Sequence, residues 1–112
     1  MPRIKQIKQG PVTVLTVEGS LLGDVTESLR EKVAACLDAG EVQLILDFQP
    51  VAYMDSAALG MLLSHSRQAR QKGGAIKIAH VTGVCHDIFV ATRLGQVLEI
   101  YPDIHSALRS FL

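Results

Sequence analysis

Hydrophobic and polar positions change period several times along this chain, and each change marks an element. From Arg3 to Glu18 the residues read as two short strands around a Gly10-Pro11 turn, the second carrying Val12, Val14, Leu15 and Val17 with threonines between them. At Asp24 the period lengthens to that of a helix. Val25, Leu29, Val33, Cys36 and Leu37 then share one face, with Asp24 placed to cap the start and Gly40 to end the run. Val42 to Phe48 (VQLILDF) is almost continuously apolar and rich in branched residues, the pattern of a central strand buried on both faces, and Pro50 stops it.

A second helix is expected to open near Asp55-Ser56 and to turn Leu59, Leu62, Leu63 and Ala69 toward the core. It closes with Arg67, Arg70 and Lys72 before Gly73-Gly74, so acid stands at its start and base at its end, as the helix dipole favours. Ala75 to Val81 alternates as a strand, Val84 to Leu94 reads as a shorter helix ended by Gly95, and Val97 to Ile100 as a brief strand. After Pro102-Asp103 a last helix presents Ile104, Ala107, Leu108 and Phe111 at helical spacing. Strands separated by helices imply right-handed crossovers and a parallel sheet, and the opening hairpin adds an antiparallel pair. The expected fold is α/β: a small mixed, mostly parallel β-sheet with an N-terminal β-hairpin and about four α-helices packed on it. Leu59, Leu62, Leu63, Leu108 and Phe111 are expected in its core. One domain over residues 1–112 is the expectation for a chain of this length.

Composition narrows the functions. Eleven basic residues balance eleven acidic ones, and no basic run reads as a nucleic-acid footprint. Direct membrane insertion is excluded because no apolar stretch approaches the roughly 20 residues that a span requires. Met1 to Gly10 carries Lys and Gln with no apolar core of a signal peptide behind them, so a cytoplasmic protein is expected. Cys36 and Cys85 form no C-x-x-C pair and read as reduced thiols in or near the core. His65, His80, His86 and His105 have no metal-ligand spacing, so neither a metal nor a cofactor is expected.

The segment with chemical content is VAYMDSAALGMLL, Val51 to Leu63, where a loop ends and Asp55-Ser56 opens a helix. Either residue can cap that helix by accepting a first-turn N–H, worth about 1 kcal/mol. A serine there can also accept a phosphoryl group, because open N–H groups and the positive dipole end tolerate an added dianion. A serine hydrolase would need the glycines of G-x-S-x-G around its nucleophile, and Met54 and Ala58 hold those places. Catalysis by this chain is not expected.

MDSAALGMLL resembles the D-S-S-G-L-G-x-L-L stretch of the STAS domain family, the anti-sigma factor antagonists. The resemblance extends to the Gly19-Ser20-Leu21 turn, the LILDF strand before the serine, Lys72-Gly73-Gly74 and Ser106-Ala107-Leu108. It implies a partner-switching regulator whose Ser56 is phosphorylated by a kinase-type anti-sigma factor, the unphosphorylated form binding that partner and freeing a sigma factor. It further implies that Asp55 helps place the hydroxyl, and that Leu59, Gly60 and Met61 carry part of the binding face or pack behind it. Ala57 and Ala58 depart from the usual Ser and Gly, and Leu22 stands where an acid often follows the Gly-x-Leu turn, with Asp24 two places later. The expected partner-binding set is Asp24, Asp55, Ser56, Ala57, Leu59, Gly60 and Met61. A STAS subunit docked constitutively on a membrane transport complex, such as a lipid ABC transporter, is the alternative. A weak homodimer is compatible with either.

Overall fold

The computed structural model describes residues 4–112; Arg3, where the first strand is expected to begin, lies outside them. Among the described residues five strands form one sheet in sequence order: β1 (Ile4–Gln9), β2 (Val12–Val17), β3 (Gln43–Asp47), β4 (Ala75–Ala79) and β5 (Glu99–Tyr101). β1 and β2 pair antiparallel through the Gly10 turn, and β2 to β5 run parallel. The crossovers are α1 (Asp24–Asp38), α2 (Ser56–Gln71) and α3 (Gly83–Ala91), and α4 (Ile104–Arg109) follows β5. The expected α/β fold is the one observed, with VQLILDF supplying the central strand.

Each face of the sheet has its own cover. Leu15, Val17, Leu44, Leu46, Ile76 and Ile78 pack under α1, α2 and α3, which contribute Leu29, Val33, Leu62 and Phe89. On the opposite face Val12, Val14, Ile45 and Ala79 lie under α4, against Ala107, Ile104, Leu108 and Phe111. The alternation of Ala75 to Val81 turns Lys77 to that second face, where it is buried. Its ammonium donates to Ser110 Oγ at 2.7 Å and to the Ser110 carbonyl at 3.1 Å, 4.1 Å from the centre of the Phe111 ring. A buried cation is tolerable only with such partners.

Several boundaries differ from expectation. Asp24 does not cap α1: it is the first helical residue, and the N-cap is Gly23 at φ 48°, a backbone that suits glycine. α3 ends at Ala91, not at Gly95; Arg93 takes the left-handed position (φ 60°) and Gly95 falls in a short 3-10 turn, Leu94–Gln96. The last strand begins two residues later than Val97, at Glu99. Leu62 is fully in the core, whereas Leu59, Leu63, Leu108 and Phe111 are half-buried at its margin. Cys36 and Cys85 are both buried and unpaired.

Because β2, β3, β4 and β5 are parallel, the chain leaves all four at one edge of the sheet. The loops over residues 18–23, 48–55, 80–82 and 102–103 meet there, the usual location of function in parallel α/β proteins.

Candidate functional site

The centre of that edge is a short parallel bridge between Leu21 and Met54. Leu21 N–H donates to the Tyr53 carbonyl at 2.9 Å, and Asp55 N–H donates to the Leu21 carbonyl at 3.4 Å. Leu21 and Met54 turn into the core, so by alternation their neighbours point outward. Leu22 and Tyr53 are 42% and 46% exposed, large apolar side chains at the mouth of α2.

Asp55 caps α2. Its backbone is extended (φ −100°, ψ 178°) and its Oδ1 accepts the Ala58 N–H at 2.9 Å. With the cap supplied by Asp55, Ser56 is free of that role. It is the first helical residue, exposed, and its hydroxyl makes no hydrogen bond among the described residues. Ala57 and Gly60 are exposed beside it, Leu59 is half-buried, and a side chain added at Gly60 would meet open space. Met61 is buried in the core and packs behind the surface instead of forming it; the methyl of Ala58 is buried with it. Asp24 is exposed at the start of α1 together with Glu27. No Lys, Arg or His occurs in residues 18–29 or 48–64, so the two segments that carry Leu22, Asp24, Tyr53 and Ser56 are apolar and acidic.

One polar cluster at this edge escaped the sequence reading. Asp47, at the end of the central strand, is nearly buried; its Oδ1 lies 2.9 Å from His80 Nδ1 and accepts the Gln49 N–H at 3.0 Å, and its Oδ2 accepts from Thr16 Oγ1 at 3.4 Å. It ties the ends of β2, β3 and β4 together and fixes the first turn of the loop that leads to Ser56. The legible signal is an acid closing an apolar strand, Leu44-Ile45-Leu46-Asp47, which a buried position tolerates only with partners. His80 itself sits at φ 63°.

The remaining candidates for chemistry are muted. Burial pushes both thiols upward, Cys36 with Glu41 adding to the effect, so neither is an activated nucleophile. Among the described residues no three His, Cys, Asp or Glu side chains are grouped to hold a metal ion. No described helix is long and apolar enough to cross a membrane.

The STAS domain family model matches residues 3–107, and the chain belongs to that family. It is 22% identical over 98 residues to the anti-sigma F factor antagonist of Paenibacillus polymyxa, covering 87% of this chain and 84% of the relative. Among solved structures, an anti-sigma factor antagonist from Mycobacterium paratuberculosis superposes with a TM-score of 0.84 at 19% identity, covering 96% and 91% of the two chains. The Bacillus cell-fate determinant SpoIIAA in its phosphorylated form gives 0.74 at 18% identity, over 96% and 98%. The murine anion transporter Slc26a9 gives 0.75 at 22% identity, the match covering 91% of this chain and 18% of the transporter. At such identities the structural likenesses establish the fold.

Proposed function

We propose that this chain, a single STAS domain throughout, is an anti-sigma factor antagonist that works by partner switching and has no catalytic activity of its own. The observation that carries this reading is the division of labour at α2, where Asp55 holds the cap and leaves the Ser56 hydroxyl exposed at the first helical position. In the unphosphorylated state a serine-kinase anti-sigma factor docks over Ser56, with Asp24, Asp55, Ala57, Leu59 and Gly60 at the contact and Met61 supporting it from within. Leu22 and Tyr53 supply apolar area beside them. The kinase then transfers the γ-phosphoryl of its ATP to Ser56 Oγ: the new O–P bond forms, the bond to ADP breaks, and the hydroxyl proton passes to a base of the kinase. The phosphoserine carries close to two negative charges, and an interface that formed over a neutral hydroxyl must strip water from it. At about 1.4 kcal/mol per tenfold, a cost of several kcal/mol weakens binding by two to three decades. The similarity to antagonists, one of them solved in a phosphorylated form, supports the reading.

The expected outcome is stoichiometric phosphate on Ser56 after incubation with the host's kinase-type anti-sigma factor and ATP, together with a roughly 100- to 1,000-fold loss of affinity measured by calorimetry. Ser56→Ala should bind and never release. A second reading, constitutive docking on a membrane transport complex, draws on the likeness to a segment of an anion transporter. Recovery of an ATPase subunit with the native protein, and no phosphate on Ser56, would establish it instead.

A further inference from the structure

Away from the Ser56 edge, the outer side of α2 and the end of α3 form a second surface of different character. Val97, in the stretch between the 3-10 turn and β5, is 50% exposed and borders a hollow of about 80 Å³ lined also by Leu63, Ser66, Arg67 and Arg70. The 3-10 turn before it borders a larger hollow, about 220 Å³, formed by Phe89, Val90, Arg93, Gly95 and Gln96, where Val90 is 63% exposed. Gln96 and Val97 are adjacent in the chain, so successive residues line the two hollows.

Three arginines surround these apolar positions. Among the described residues none of Arg67, Arg70 and Arg93 has a carboxylate partner within 4.0 Å; Arg70 donates only a long hydrogen bond, 3.4 Å, to the Val97 carbonyl. Arg93 occupies the left-handed position that closes α3, where glycine is the unstrained residue, so the chain tolerates strain and sets a cation at the rim of the larger hollow. We infer that this surface is a docking site for an acidic protein segment that carries aliphatic or aromatic side chains, separate from the Ser56 contact. The charge calls for an acidic occupant, and hollows of these sizes receive single side chains, which a flat lipid surface does not offer. The inference does not depend on phosphorylation of Ser56.

The test uses the full chain and a fluorescein-labelled amphipathic peptide of about 14 residues composed of Glu, Asp and Leu, followed by anisotropy. Saturable binding is expected, weakened at least tenfold by Arg67→Glu, by Arg93→Gly and by Val97→Asn, reduced by added salt, and unchanged in Ser56→Ala. Arg93→Gly is the decisive variant, since it removes the cation while relaxing the backbone, so its melting temperature should hold or rise as binding falls. Absence of binding, or binding indifferent to these variants, overturns the proposal. So does a concentration-dependent increase in mass that Arg67→Glu abolishes, which would make a second copy of this chain the occupant. Binding to phosphatidylglycerol vesicles that exceeds binding to the peptide would assign the surface to lipid and overturn it likewise.

Discussion

His65 is nearly buried in α2, and its Nδ1 has no hydrogen-bond partner among the described residues. Burial holds the imidazole pKa below the usual 6.5, and the Arg30 charge across on α1 adds to the effect. The unfolded chain therefore takes up the proton more readily than the folded one. Stability from this residue is complete above about pH 6.5 and is lost as the pH falls toward the lower, folded-state value. The expected result is a melting temperature that drops between pH 7.5 and 5.5 in the wild type and drops less in His65→Leu, the difference isolating this group from the other histidines. An equal drop in both would place the acid sensitivity elsewhere. The sequence placed His65 on the right helix but gave no sign that it faces inward, because a histidine is as common outside as in. The cap was legible only as a choice between Asp55 and Ser56. Backbone geometry decides it, giving Asp55 the extended conformation and Ser56 the helical one.

At the scale of the element, α2 shows where an apolar pattern misleads. Its inward residues are Ala58, Met61, Leu62, His65, Ser66 and Ala69, a stripe at helical spacing that includes two polar residues. A reading guided by leucines counts Leu59 and Leu63 as fully inward and leaves out Met61, so the face is rotated by part of a turn. Leu62 belongs to both versions and is 2% exposed. Leu62→Ala should lower the unfolding free energy by about 2 to 5 kcal/mol in urea denaturation, while Leu63→Ala should cost clearly less. Equal losses would mean that Leu63 is as deeply packed as its neighbour. The start of α1 failed for another reason. Aspartate is a better cap than glycine on propensity, yet the chain enters α1 with φ 48° at residue 23, and only the glycine accepts this without strain.

For the whole molecule, the alternation of strands and helices was enough to specify a parallel sheet, and the opening hairpin its antiparallel edge. What it did not reveal is that α4 crosses to the face opposite α1, α2 and α3, since a helix with one apolar stripe can lie on either side of a sheet. The buried Lys77 shows the consequence: the strand's alternation suggests a solvated lysine, and α4 covers it. With cover on both faces, the loop edge around Ser56 can change its charge without disturbing the core. A negative charge at the first turn of α2 favours the helix by about 0.3 to 1 kcal/mol, and the like charge of Asp55 offsets part of that. Ser56→Asp and the phosphorylated protein should therefore melt within about 5 °C of the wild type, since 1 kcal/mol corresponds to roughly 4 to 8 °C in a domain near this size. Amide exchange in β3 and β4 should likewise be unchanged, while the affinity for the proposed kinase partner should fall by decades. If Ser56→Asp instead unfolds the chain, or lowers protection throughout the central strands, the charge acts on folding and the switch is not one of binding.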